Sequence, residues 1–488
     1  MLSIVERGGG PAGARVTRRR ILQAGGAGLF GLDVPTLLAA EAAAAGGPAG
    51  RAKSVIFLFL FGGPSQLETF DLKPDAPSDI RGPFLPIASR TPGLRICEHL
   101  PLTAGVSDRF CVIRSMTHTY NDHSGGAHYI QTGRRWHVPV GGGFSATPKD
   151  WPSMGSVVEY LAQSRAAAGD RSGGGPTAAF PSYVVLPNRL GRLQDSGQYI
   201  RPGEYAGWLG QGFNPLATAI DKRDAADNPY WRDCTDAEAD FRLQGLADEK
   251  SLTLDRVERR LSLLDQLDVA RRAFDESAAA TAFDLFRERA VGLVQSPQAR
   301  TALDIRREPA ALRDRYGRHL FGQSVLMARR LVEAGVRFVT VHYDCVDGYS
   351  WDSHRTSDDV RHRLLPTFDQ AYSALIEDLD ARGLLAETLV VALGEMGRTP
   401  KPNATWGRNH WSQVFPALIA GAGVRGGTVY GSSDRLAAEV VDGPTSPEDL
   451  AATIYHALGI DPDLQLADME GRPLPIVTGG RPLRQLFG

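Results

Sequence analysis
The chain has 488 residues, of which 42% are hydrophobic, 23% charged and 8% aromatic. This composition suits one large core or two domains and excludes a disordered chain, a collagen-like polymer and a disulfide-stapled mini-protein. The 54 basic and 56 acidic residues leave a formal net charge of −2, with no long run of one sign. A dedicated nucleic-acid surface is therefore not expected, because such surfaces carry a clustered basic excess.

The N-terminus holds Thr17-Arg18-Arg19-Arg20-Ile21-Leu22-Gln23, then a weakly apolar stretch from Ala24 to Ala40 and small residues from Ala42 to Ala45. With a basic flank, a short apolar region and a small-residue cleavage zone, residues 1–45 read as an export signal, a disordered basic tail being the plainer alternative. The Arg18-Arg19 pair gives it the twin-arginine character, which implies the matching export machinery as a partner and a periplasmic or extracellular destination. Asp33, Pro35 and the glycines between them and Ala24 spoil a membrane span, which needs about 20 apolar residues. No later segment is long and apolar enough to be one. Four cysteines remain, Cys97, Cys111, Cys234 and Cys345. They allow two disulfides in an oxidising compartment, or four unpaired buried thiols. None has the spacing of a zinc site.

Val55-Ile56-Phe57-Leu58-Phe59-Leu60-Phe61 runs straight into Gly62-Gly63-Pro64-Ser65. An unbroken apolar run ended by such a turn reads as a strand buried on both faces. Residues 165–180 read as a flexible low-complexity loop. Residues about 215–320 are charged and helical in period, with Leu261, Leu264, Leu267 and Val269 among acids and arginines, and read as a helical insertion. Helix Leu326–Ala334 then leads through Gly335 to strand Val336–Val341. Leu365, Phe368, Tyr372, Leu375 and Leu379 step by three and four along one helix face. Strand Thr388–Leu393 and the apolar run Val414–Ile419 follow. Ser446-Pro447-Glu448-Asp449 is a capping box opening a helix that stops at Gly459. Helix alternating with strand predicts an α/β fold, a mostly parallel central sheet with helices on both faces. Residues 46–488 are expected to form this one domain.

In open α/β sheets ligands bind beyond the carboxyl ends of the strands. Beyond Val341 come His342, Asp344, Asp347 and Trp351-Asp352-Ser353-His354. Beyond Leu393 comes Gly394-Glu395-Met396-Gly397-Arg398-Thr399-Pro400, and later Gly407-Arg408-Asn409-His410-Trp411. Asp352, His354, Glu395 and His410 suit a divalent metal such as zinc, manganese or iron. Each residue also has a plainer alternative. Asp352-Ser353-His354 suits a solvated turn, Glu395 a pair with Arg398 or a cap on backbone N–H groups, and His410 a half-buried structural imidazole. In the first half, His118, His123 and His128 lie five apart, a turn of about 500° on a helix, so they do not share a face. Ser124 at a helix start suits a nucleophile or a cap, with the cap the simpler reading.

Several stretches together resemble a known family. They are Phe61-Gly62-Gly63-Pro64-Ser65-Gln66, Thr69-Phe70-Asp71-Leu72-Lys73-Pro74, Trp151-Pro152-Ser153-Met154-Gly155-Ser156, Ala328 to Val336, and the three Trp351, Gly394 and Gly407 stretches above. On these the chain is identified as a member of the domain of unknown function 1501 family, exported bacterial proteins of unassigned activity. That family is similar to the alkaline phosphatase and sulfatase superfamily. The resemblance implies a metal-dependent hydrolase of phosphate or sulfate esters, acting on a small-molecule or glycan ester with zinc, manganese, iron or calcium. Asp352, His354 and His410 would share one metal site, with Glu395 where the superfamily has an Asp. His123 or Ser124 would stand near the nucleophile, and Arg398 would bind the substrate anion. The chain departs from the pattern where Phe61-Gly62-Gly63 replaces a metal-binding Asp, with Asp71 the candidate to take its place. It departs again where Met396 follows Glu395 instead of His. No cysteine lies in a sulfatase-type activation motif. The alternative is an inactive relative that binds a ligand or partner at the same edge, with or without a metal.

Overall fold
The computed structural model describes residues 51–167, 180–193, 199–243, 296–344 and 350–488. All of them belong to one compact unit, Gly50–Gly488. The export-type segment, Cys345, Asp347, most of the low-complexity loop and the centre of the expected helical insertion lie outside the described residues.

Nine strands form the main sheet: β1 (Ser54–Phe59), β2 (Phe110–Met116), β3 (Tyr183–Leu186), β4 (Leu216–Ala219), β5 (Arg242–Leu243), β6 (Phe338–His342), β7 (Thr388–Leu393), β8 (Phe415–Ala420) and β9 (Thr428–Tyr430). Their order across the sheet is β9-β2-β8-β7-β1-β6-β3-β4-β5. β1 lies at the centre, parallel to both β6 and β7. Only β8 and β5 run against the rest, so the sheet is mostly parallel. The apolar run of β1 follows from this position. Ile56, Leu58 and Leu60 enter the core on one face, while Val55, Phe57, Phe59 and Phe61 enter the core on the other. Side chains alternate along a strand, so a strand covered twice has no polar side.

Helices α1 (His123–Thr132), α2 (Met154–Ala167) and α5 (Pro447–Ala457) cover one face, and α3 (Leu320–Glu333) and α4 (Leu365–Ala381) the other. The residues Leu365, Phe368, Tyr372, Leu375 and Leu379 are all buried, as the stepped apolar face of α4 requires. The capping box is present: Ser446 Oγ accepts the Asp449 N–H at 3.1 Å and Asp449 accepts the Ser446 N–H at 3.0 Å.

The described start of the segment about 215–320 carries sheet rather than helix. Leu216–Ala219 pairs with β3, and Arg242–Leu243 pairs with it in turn. Thr218 is buried there with its Oγ1 donating to the Pro187 carbonyl at 2.7 Å, and the strands on either side supply the backbone partners. Further on, Pro297–Leu303 and Ala310–Tyr316 are helical. The three described cysteines, Cys97, Cys111 and Cys234, are free and buried. Burial pushes the Cys97 thiol up to about 12, which leaves it inert at neutral pH.

His319 caps α3, its Nδ1 accepting the Gly322 N–H at 3.1 Å. Burial lowers its pKa to about 3, so it stays neutral in the fold. The unfolded chain binds a proton here below about 6.5, and the folded chain does not until about 3. Stability from this group is therefore complete above that window and falls as pH drops through it, by about 1.4 kcal/mol per unit. Urea unfolding at pH 7 and pH 4 should show a smaller acid loss for His319→Asn, which keeps a cap but does not titrate. An identical acid loss in both proteins contradicts this assignment.

Candidate metal centre
The turn after β1 is where the site is assembled. Gly62 has φ +108°, and a Cβ there would stand 2.3 Å from the Asp352 backbone nitrogen. At Gly63, with φ +83°, a Cβ would stand 2.4 Å from the Met396 carbonyl oxygen. Two glycines thus let the loops carrying Asp352 and Met396 touch the end of β1 through their backbones. The buried Glu395, just past β7, accepts the Gly62 N–H with both oxygens, at 2.9 and 3.1 Å.

Other elements bring the histidines to the same place. Asp122 caps α1 by accepting the Gly125 N–H at 2.8 Å. The cap is Asp122, so Ser124 is left with another role. His123, the first helical residue, reaches Glu395 Oε1 through Nδ1 at 2.5 Å. The Asp352–His354 turn is anchored by Trp351, whose ring packs on Tyr343 and Phe368 at 5.8 and 6.2 Å. His410 sits in a short ribbon with Arg398 as its cross-strand partner. The buried ion pair Arg408–Glu68, at 2.8 Å, pins that ribbon.

The outcome is a convergence of imidazole Nε2 atoms on one carboxylate. His354 Nε2 and His410 Nε2 lie 2.9 and 3.2 Å from Asp352 Oδ1, and 3.0 Å from each other. His123 Nε2 lies 3.2 Å from Asp352 Oδ2, buried and without a hydrogen bond of good geometry. Ligand atoms of His123, Asp352 and His410 all fall within 4.8 Å of one another. The opposite ring nitrogens are each committed to an acceptor. His410 Nδ1 faces the Asn121 carbonyl at 2.8 Å, His354 Nδ1 the Asn409 side-chain oxygen at 3.0 Å, and His123 Nδ1 faces Glu395. A carbonyl or carboxylate only accepts, so each Nδ1 carries the hydrogen and each neutral ring presents its Nε2 lone pair inward. Lone pairs that close repel unless protons or a cation lie among them. Metal-bound histidines are oriented in the same way, through the far N–H.

The electrostatics agree with a cation-seeking site. Burial alone would raise the Asp352 carboxyl, but His123, His354 and His410 outweigh it and hold that group far below the carboxylate range. Burial alone would lower His123, but Asp352 and then Glu395 raise it to about 9. Without a metal, a proton takes the place that a cation would take.

The other expected residues fall around this centre. Glu395 stands one layer back, its oxygens taken by Gly62 and His123. Arg398 is fully buried: it donates to Asp352 Oδ1 at 2.6 Å, to the Gly63 carbonyl at 3.0 Å, and to the Gly62 carbonyl. Ser124 Oγ donates to the Phe144 carbonyl at 3.2 Å and accepts from Arg201 at 3.1 Å. Of the three evenly spaced histidines only His123 joins the centre. His118 bonds the Glu395 carbonyl at 2.6 Å, and His128 bonds the Arg134 carbonyl at 3.0 Å. Asp71 is bound to Lys73, Arg114 and Ser433 and is not in the group. Arg201 and Asn121 had no sequence signal, since each lies in an irregular loop without a motif.

The fold and this convergence define an α/β protein with a candidate divalent-cation centre at the carboxyl edge of its sheet. The chain belongs to the family described as "Protein of unknown function (DUF1501)", whose model matches residues 52–487. No curated protein matches it. Among solved structures it is similar to the alkaline phosphatase PafA, at 10% identity over 91% of this chain and 100% of that one, TM-score 0.40. It is also similar to a phosphonate monoester hydrolase from Silicibacter pomeroyi, at 13% identity over 89% and 76%, TM-score 0.36. A third is the PsFucS1 sulfatase from Pseudoalteromonas sp., at 13% identity over 87% and 72%, TM-score 0.37.

Gly62→Ala should be far more harmful than Gly93→Ala, which has φ +82° but nothing within 4 Å of its Cβ. The second change carries only the positive-φ strain, on the order of 1–3 kcal/mol. The first adds a backbone clash and should lower stability further in urea unfolding. Equal losses would show that the close approach to Asp352 is not needed.

Proposed function
We propose that this chain is an exported, metal-dependent hydrolase of phosphate or sulfate esters. The observation that carries the reading is the meeting of three imidazole Nε2 atoms on the Asp352 carboxylate. His123, Asp352 and His410 would hold one cation, with His354, which lies against Asp352 and His410 but outside that group, turning in as the third nitrogen. That donor set fits zinc, manganese or iron, whereas calcium favours six or more oxygens. Such a cation, when bound, polarises an ester oxygen or activates water.

The residues around it have separable tasks. Glu395 holds His123 by its Nδ1–H and is given this positioning role rather than a ligand's. Arg398 fixes Asp352 and likewise positions, because its guanidinium is enclosed by acceptors. Ser124, beside His123 in the first turn of α1, offers the hydroxyl suited to attack an ester. Its Oγ accepts a hydrogen bond from cationic Arg201, which favours the developing alkoxide. The ester class itself rests on the sequence resemblance to phosphatases and sulfatases.

The twin-arginine-type segment supports export to the periplasm or beyond. No helix among the described residues is long and apolar enough to cross a membrane. A second reading, a ligand-binding relative without turnover, is favoured by Gly62 and Gly63 at the end of β1. They leave no carboxylate there for a second cation.

Elemental analysis of the exported protein should find about one equivalent of transition metal per chain. Asp352→Ala and His410→Ala should lose it, and Glu395→Gln should weaken it by about 10–100-fold. Ser124→Ala should keep the metal and lose hydrolysis of phosphate and sulfate esters. A folded wild type without metal refutes the proposal, and one with metal but no turnover leaves the binding role.

A further inference from the structure
Beside the cation centre lies a second feature that the hydrolase reading does not use. Phe144, Tyr199 and Ile200 are 47%, 38% and 42% exposed, unusual for large apolar side chains. The Phe144 and Tyr199 rings lie 5.3 Å apart, and the Ala146 N–H donates to the Ile200 carbonyl at 2.6 Å, tying the two loops together. This patch touches the site directly, since the Phe144 carbonyl accepts from Ser124 Oγ.

Arg201 joins the two. Its guanidinium carbon lies 5.2 Å from the Tyr199 ring centre and 5.6 Å from that of Phe61, while one amino group donates to Ser124 Oγ. Phe61 in turn packs on His123 at 5.2 Å. A planar cation held against two rings keeps its charge and its fork geometry while losing rotamer freedom. A fixed cation thus stands beside the hydroxyl, with an apolar shelf running outward.

We propose that Arg201 anchors the anionic end of the substrate and that the Phe144–Tyr199–Ile200 shelf receives an aromatic group, making the substrate an aryl ester of phosphate or sulfate. The inference rests on the hydrolase reading and names its substrate class. Two ring faces and an isoleucine reward apolar area and stacking. Of the three side chains only Tyr199 carries a hydrogen-bonding group, so the shelf rewards an apolar ring more than the several hydroxyls of a sugar. Hydrolysis would break the bond between phosphorus or sulfur and the phenolic oxygen. Water would supply the hydroxyl to the acid and the proton to the phenol.

The test is binding of two stable dianions, phenylphosphonate and methylphosphonate, to the metal-loaded chain by calorimetry. Phenylphosphonate should bind about ten-fold or more tightly. Phe144→Ala and Ile200→Ala together should abolish that preference and leave methylphosphonate binding alone. Arg201→Ala should weaken both ligands about ten-fold or more, Arg201→Lys less so, with metal content unchanged. Melting temperature checks that each variant is folded. Equal affinity for the two phosphonates, tighter binding of glucose 6-phosphate, no binding of either phosphonate, or an Arg201→Ala variant with wild-type affinity would each overturn the inference. In those outcomes a retained metal and turnover of other esters keep the hydrolase reading, whereas a metal-free wild type removes that reading instead.

Discussion
The buried carboxylate of Glu395 ties together three segments that are far apart in the chain. The carboxylate closes on the Gly62 N–H past the end of β1 and on His123 at the start of α1, while the backbone carbonyl of Glu395 meets His118. A buried charge needs partners, and here every oxygen has one. The turn after β1 thereby defines where α1 begins its course and which nitrogen His123 turns towards Asp352. Gly62 and Gly63 make the arrangement sterically possible, because any side chain there would displace Asp352 or Met396.

On this base a dense electrostatic cluster is built. Asp352 faces three imidazoles and the Arg398 guanidinium, and it is the one carboxylate to which all four point. Each imidazole is aimed by an acceptor behind it, so the inward lone pairs do not depend on loop conformation alone. The buried Arg408–Glu68 pair and the Trp351 ring hold the two outer loops. Rigid support behind a half-exposed cluster is what a binding centre needs, since the ligands are positioned before anything arrives.

Much of the fold was legible in the sequence, for a physical reason. Central strands of a doubly covered sheet must be apolar throughout, so β1, β6 and β7 stand out, as do the stepped face of α4 and the capping box of α5. Strands β2 and β3 were not read: Arg114 and Ser115 break the apolar run of β2, and β3 is four residues between prolines. Asp352, His354 and His410 could be grouped because each follows a buried strand or precedes one. His123 could be placed near the chemistry, but not its ring, since its approach depends on Glu395 across the sheet. The roles of Glu395 and Arg398 were not legible either. A carboxylate one layer behind a site and one inside it look alike in sequence; only the positions of Gly62 N–H and the glycine carbonyls tell them apart.

In the proposed centre His123, Asp352, His354 and His410 share one cation. X-ray absorption at the edge of the bound metal, on the purified full chain, reads the ligand set directly. A first shell of three imidazole nitrogens and one carboxylate oxygen at about 2.0–2.2 Å is expected, with any further position held by water. A His410→Ala sample should lose one imidazole from that shell or lose the metal. A shell built mainly of oxygens, or one unchanged in that variant, would contradict it.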